Sequence, residues 1–102
     1  SSNNSSAIQP IAEKTVVIMT ENGFYPSIIN IKQGEVVVFK NDSTQDRWPA
    51  SAIHPTHQIY PEFDSKRPVS FGSSWSFTFD KVGTWKFHDH LIPRFFGTIN
   101  VE

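Results

Sequence analysis

Residues 74–90 read SWSFTFDKVGTWKFHDH, and the periodicity of this stretch decides the fold class. From 74 to 79, small polar residues alternate with aromatic ones, which is the pattern of a strand with one buried face. Residues 80–83 have the composition of a turn, and residues 84–88 have the pattern of a further strand. The stretch is therefore predicted to form two consecutive β-strands.

The rest of the chain favours more short strands and no helix. Residues 35–40 are rich in Val, and the connection 45–72 contains four prolines, which disfavour long helices and central strands there. Short strands at this spacing, without a 3.6-residue period, predict a β-sandwich or a Greek-key barrel. The other predicted strands cover residues 15–20, 27–32 and 97–102.

Composition excludes several classes of function. A chain of 102 residues with 37% apolar content can bury one core, so a single domain is expected. The formal net charge is −1 without a basic stripe, so nucleic acid is not an expected partner. No apolar run approaches the roughly 20 residues that cross a membrane, so the domain itself is not expected to insert. The absence of Cys excludes disulfides, zinc–thiolate sites and a thiolate nucleophile.

The N-terminal residues differ in composition from the rest. Residues 1–13 are rich in Ser and Asn and are predicted to be a flexible polar leader, with the folded domain spanning residues 14–102. Such a leader is typical of the segment between a membrane anchor and an extracytoplasmic domain, so a periplasmic or extracellular location is expected. An ordinary frayed terminus is the alternative.

All four histidines lie in two close pairs, His54 with His57 and His88 with His90. Side chains two residues apart on a strand leave from the same face, about 7 Å apart, so one ion can bind between them. The alternative is that all four are ordinary solvated residues of a loop and a strand. The complete pairing favours a metal site formed by the four imidazoles.

The donor type favours copper. Neutral imidazoles bind Cu(II) and Zn(II), with Cu(II) the tighter of the two, so copper is the expected cofactor and zinc the alternative. Imidazoles near the reference pKa of ~6.5 must lose protons to bind a metal, so affinity is expected to fall below about pH 6. Asp89 is a candidate for orienting a ligand, and Glu62 and Asp64 are candidates for an oxygen ligand, with plain solvation as their alternative.

Several motifs outside the histidine pairs point to a family. Residues 24–41, FYPSIINIKQGEVVVFKN, contain a Gly-Glu turn and a terminal Asn. Residues 83–85, GTW, and 97–101, GTINV, have the pattern of the last strands of a small β-sandwich. In these features residues 15–102 resemble the cupredoxins, which are small copper-binding β-sandwiches. The resemblance implies an all-β fold, a Greek-key β-sandwich in a single domain.

The resemblance also indicates that the usual copper ligands are missing. Blue-copper members of the family use two His, one Cys and usually a Met, whereas this chain has no Cys. Alignment on residues 83–87 places Asp89 at the cysteine position, and Arg47 falls near the first copper histidine. A blue-copper electron carrier is therefore excluded. Arg47 is otherwise expected to be a solvated surface charge, with an ion pair to an acid near the site as the alternative.

The histidine motifs resemble a different branch of the same fold. Residues 83–90, GTWKFHDH, resemble the Gly-Thr-x-x-Tyr-His-x-His motif of multicopper oxidases, whose paired histidines bind the copper cluster that reduces oxygen. Residues 54–57, HPTH, are similar to the His-Pro-x-His start of another motif in those enzymes. Together the two motifs imply that imidazoles alone bind the copper.

Strand alternation sets the direction of the second histidine pair. If Trp85 and Phe87 face the core, His88 and His90 face the opposite side of a regular strand. Either the strand bulges or ends near His88 and turns the pair toward the loop with the first pair, or the pair projects from the surface and a loop or another subunit completes the site. The length of the connection 45–72 favours the first geometry.

These observations favour an extracytoplasmic copper-binding protein for copper capture, delivery or storage. A copper donor or acceptor protein is an expected partner, and an oligomer is expected if the histidines lie at a subunit interface. The alternatives are a redox enzyme or electron-transfer protein with the same copper site, and a structural zinc site in an interaction domain. The predicted site is thiolate-free, type 2-like and mononuclear, with the ligands His54, His57, His88 and His90.

Overall fold

The computed structural model describes residues 15–52 and 59–102. The predicted leader and the segment that carries His54 and His57 lie outside the described residues. The strands of the described ranges are β1 Thr15–Thr20, β2 Gly23–Tyr25, β3 Ile28–Ile31, β4 Glu35–Asn41, β5 Pro49–Ser51, β6 Ser74–Phe79, β7 Gly83–Asp89 and β8 Phe96–Val101. In this part of the chain, no helix is long and apolar enough to cross a membrane.

The strands form two four-stranded sheets that pack face to face. Sheet I has the spatial order β2-β1-β4-β6, and sheet II has the order β3-β8-β7-β5. Each sheet contains one parallel pair, β1 with β4 in sheet I and β3 with β8 in sheet II, and its other pairs are antiparallel. This architecture confirms the predicted all-β sandwich with a single domain.

Two short strands depart from the sequence prediction. Strand β2, Gly23–Tyr25, was not among the predicted strands and pairs antiparallel with β1. Strand β5 begins at Pro49 inside the proline-rich connection and lies at the edge of sheet II. An edge strand tolerates proline because one side of its backbone needs no partner in the sheet.

The core lies between the sheets and follows strand alternation. In β1, Val17 and Met19 are fully buried, and in β4, Val37 and Phe39 are fully buried, because every second side chain points inward. Phe63, from the connection between β5 and β6, fills the centre and packs edge-on against Phe79 with ring centroids 4.8 Å apart. Aromatic rings therefore supply much of the core, and the long connection contributes one of the central ones.

Tyr60 anchors the same connection and carries a group that responds to pH. The side chain is 1% exposed, and its hydroxyl donates a hydrogen bond of 3.1 Å to Oδ1 of Asp80. Burial, together with the hydrogen bond and the negative charge of Asp80, raises the pKa of Tyr60 above its ordinary value of 10.0. The folded protein therefore holds this proton at a pH where the unfolded chain has begun to lose it.

We expect this difference to appear in alkaline unfolding. Because the folded-state pKa of Tyr60 is raised, its contribution to stability is complete below about pH 10 and is lost as the pH rises through the folded-state pKa. The variant Tyr60→Phe should show a flatter decline in the free energy of unfolding above pH 10, measured by urea titration at several pH values. Tyr25→Phe is the matched control, because Tyr25 is 72% exposed; an equal effect of both substitutions would contradict this role of Tyr60.

Candidate metal centre

His88 lies on the outer face of sheet II and is nevertheless almost completely buried. The adjacent residues Phe87 and Asp89 are 1% and 0% exposed and face the interior, so alternation directs His88 to the other side of the sheet. Its register partners are Ala50 in β5 and Phe96 in β8. The exposed fraction of His88 is 6%. The outer face of the sheet is therefore covered at this position rather than open to solvent.

His90 follows directly after β7 and lies against Trp48, the residue that precedes β5. Its backbone N–H donates a hydrogen bond of 2.7 Å to the carbonyl oxygen of Trp48. The imidazole and indole rings lie 4.7 Å apart between centroids, with an angle of 43° between their planes. The indole Nε1–H of Trp48 in turn donates a hydrogen bond of 2.7 Å to Oδ1 of Asp64. The imidazole of His90 therefore packs on an aromatic ring that is itself fixed in place.

The ends of the segment 53–58, which carries the other two histidines, are placed beside β7. The N–H of Ala52 donates to the carbonyl oxygen of Lys86 at 2.9 Å, two residues before His88. The N–H of Ile59 donates to the carbonyl oxygen of Ala52 at 3.2 Å. Ala52 thus lies against the strand that carries His88, and Ile59 lies against Ala52, while His54 and His57 themselves lie outside the described residues.

The ladder of β7 remains regular through this region. Residues 87–89 pair with β5 in consecutive register, and residues 83–88 pair with β8 in the same way. The strand ends at Asp89, one residue after His88, without a bulge. The outward direction of His88 therefore follows from simple alternation.

The two candidate acids lie at different places. Asp64 is next to the histidine face, since it bridges to Ala50 of β5. Its Oδ1 accepts hydrogen bonds from Trp48 Nε1 and from the N–H of Lys66. Glu62 lies 3.7 Å from the ammonium group of Lys81, near the opposite end of β7. Among the residues that the structure describes, no group of three or more His, Asp or Glu is close enough to hold a metal ion.

The interior at this end of the sandwich contains an ion pair. Nε of Arg47 lies 2.5 Å from Oδ2 of Asp89, and both side chains are 0% exposed. The guanidinium also donates to the carbonyl oxygens of Thr20 at 2.6 Å and Gly23 at 3.1 Å. These two carbonyl groups belong to sheet I, whereas Asp89 belongs to sheet II. Arg47 therefore joins the two sheets.

The remaining surfaces of the ion pair are also occupied. Aromatic rings flank the guanidinium, with its central carbon 5.1 Å from the ring centroid of Phe24 and 4.7 Å from that of Phe95. The other carboxylate oxygen of Asp89 accepts backbone hydrogen bonds from Trp48 at 3.2 Å, Leu91 at 2.9 Å and Ile92 at 3.2 Å. The donors and acceptors of this buried charge pair already have hydrogen-bond partners, so these atoms are not available for other contacts.

These contacts contradict the expectation for Arg47 and give Asp89 a different role from the one expected. Arg47 was expected to be a solvated surface charge, but it is fully buried, because Asp89 neutralises it and carbonyl groups satisfy its donors. Asp89 was a candidate for orienting a metal ligand, and its oxygens instead bind Arg47 and three backbone N–H groups. The sequence did contain a signal for the pair: opposite charges occupy the positions at which the cupredoxin alignment expects two copper ligands.

Comparison with known proteins defines the fold. No family model matches the chain, and no curated protein matches it. Among solved structures, a purple cupredoxin from Nitrosopumilus maritimus is similar with a TM-score of 0.75 and 19% identity, covering 87% of this chain and 100% of that one. The reduced Cu(I) form of a single-residue mutant of amicyanin gives the same TM-score and identity, covering 87% of this chain and 82% of that one. The chain therefore has the cupredoxin β-sandwich fold.

Proposed function

We propose that this chain, a cupredoxin fold without a thiolate, binds one copper ion on the outer face of sheet II. The ligands are His88 and His90 from β7 and its end, together with His54 and His57 from the segment 53–58. The site is type 2-like and mononuclear, and its role is copper capture, delivery or storage. The observation that carries the proposal is the burial of the His88 imidazole, 6% exposed, on the outer face beside the two ends of that segment.

The interior of the sandwich supports this location, because the polar side chains at the same end of the interior are not available as copper ligands. A copper ion needs free donor atoms, and the carboxylate of Asp89 is already bound to a guanidinium. A guanidinium carries only N–H donors and no acceptor atom, so Arg47 cannot be a ligand. The chain has no Cys, and its one Met, Met19, is fully buried in the core, so the donors left for a soft or borderline ion are the imidazoles.

The donor set also supports the biological assignment. Four imidazoles on a small domain without a catalytic nucleophile are sufficient to bind and release an ion, and a copper donor or acceptor protein would be the partner in that exchange. We place the protein outside the cytoplasm, in the periplasmic or extracellular space. Zinc is the competing ion, because the same neutral imidazoles also suit Zn(II).

Competition titration tests the proposal. The purified protein should bind one equivalent of Cu(II) with a dissociation constant below about 1 µM, measured against a chelator of known affinity. A parallel titration with Zn(II) should give weaker binding, as the order of divalent affinities requires. Absence of copper binding at micromolar concentration would overturn the proposal, and tighter binding of Zn(II) than of Cu(II) would replace copper by zinc.

A further inference from the structure

We propose that Trp48 and Asp64 are positioning residues that hold the imidazole of His90 in the orientation needed to bind the metal. This inference rests on the proposed function, since it concerns the same site. The two residues come from separate segments, one directly before β5 and one beside its outer edge. Neither donates an atom to the metal in this assignment, and both act through His90.

The first step of the argument is the anchor of the indole. Trp48 Nε1–H donates a hydrogen bond of 2.7 Å to a carboxylate oxygen, and hydrogen bonds to ionised acceptors are stronger than neutral ones. Asp64 is itself held, because the same oxygen accepts the N–H of Lys66 at 2.8 Å and its backbone bridges to Ala50. Lys66 has a positive φ of 62°, a conformation that this side-chain hydrogen bond supports. The indole is therefore attached to a fixed turn.

The second step is the contact between the two rings. The imidazole of His90 packs at 4.7 Å on the indole, and the backbone of His90 is held at 2.7 Å by the carbonyl oxygen of Trp48. A half-buried His with its backbone fixed and one ring face packed has fewer accessible rotamers than a free one. Metal binding then costs less side-chain entropy, because the ligand is already ordered before the ion arrives.

The third step concerns the role of Asp64. Oδ1 of this residue accepts two hydrogen bonds, from Trp48 and from Lys66. These two contacts tie the indole and the turn to the same oxygen, which is the arrangement that an anchor needs. Partners that orient a ligand in this way commonly change metal affinity by about 10–100-fold when they are removed. We therefore assign Asp64 to the support of the indole.

The test combines the metal-free and copper-loaded protein. Ring currents of the indole shift the imidazole proton resonances of His90, and Trp48→Leu should abolish this shift and weaken Cu(II) binding about 10-fold. Asp64→Ala should reduce both effects, and Asp64→Asn, which keeps an oxygen acceptor, should recover most of the affinity lost in Asp64→Ala. Trp48→Phe keeps an aromatic face without the N–H and should fall between the wild type and Trp48→Leu.

A matched control separates positioning from general loss of structure. Trp75 is another half-buried Trp, stacked on Phe63 in the core, so Trp75→Phe should lower the melting temperature without changing the Cu(II) spectrum. Copper affinity and electron paramagnetic resonance (EPR) parameters of Trp48→Leu equal to those of the wild type would overturn the positioning role alone. Failure of the wild type to bind copper would overturn the proposed function and this inference with it.

Discussion

Replacement of Asp89 by Ala is expected to lower the free energy of unfolding by about 3–5 kcal/mol, the cost of breaking a buried ion pair from one side. The substitution leaves the guanidinium of Arg47 at 0% exposure without its counter-charge. It also removes the acceptor of three backbone N–H groups around the start of β5 and the turn after β7. The measurement is urea unfolding at neutral pH.

Two further variants identify the cause of this loss. Simultaneous replacement, Arg47→Met with Asp89→Leu, removes both charges and should recover part of the stability: the desolvation penalty of the charges disappears, while the three backbone N–H groups still lose their acceptor. Asp42→Ala is the control for an exposed ion pair, since Lys40 and Asp42 lie 3.0 Å apart with side chains 47% and 50% exposed. Its expected cost is below about 1 kcal/mol. Equal losses in Asp89→Ala and Asp42→Ala would contradict the stabilising role of the buried pair.

Replacement of both His88 and His90 by Ala is expected to weaken Cu(II) binding at least about 100-fold, which corresponds to the loss of two nitrogen ligands. The reason is geometric: His88 pairs in register with Ala50 of β5, and the backbone N–H of His90 donates to the carbonyl oxygen of Trp48, directly before that strand. The measurement is competition titration against a chelator, at a pH at which free imidazoles are neutral. Circular dichroism of the variant establishes that the sandwich is still folded.

A substitution on the same side of β7 serves as the control. Lys86 is exposed and lies two residues before His88, so Lys86→Ala changes the charge of the same face without removing a nitrogen donor of the proposed site. Its copper affinity should stay within a few-fold of the wild type. The double variant His54→Ala with His57→Ala should also lose affinity. Wild-type affinity in both histidine double variants would show that copper binds elsewhere.

Much of the sandwich could be predicted because its strands have strong local patterns. Residues 15–20 and 74–79 form strands with the predicted bounds, since β-branched or alternating aromatic residues favour an extended segment with one buried face. Strand β5 could not be predicted from three residues that begin with Pro49. Its conformation depends on pairing with β7, far away in sequence.

The candidate site shows the same division between local and non-local information. Alternation from the buried Phe87 and Asp89 directs His88 away from the core, and this direction can be read from the sequence of one strand. The contact between the rings of His90 and Trp48 depends on the register between β7 and the unpredicted strand, so no local pattern could reveal it. The burial of Arg47 likewise depends on carbonyl groups of sheet I that become neighbours only in the folded chain.

The most direct test of the copper proposal is the EPR spectrum of the protein loaded with one equivalent of Cu(II). We predict a single type 2 signal with hyperfine structure from several imidazole nitrogens, and its loss when His88 and His90 are both replaced by Ala. A spectrum of free or weakly bound copper, unchanged by those replacements, would contradict the proposal, because it would mean that the two histidine pairs do not bind a common ion.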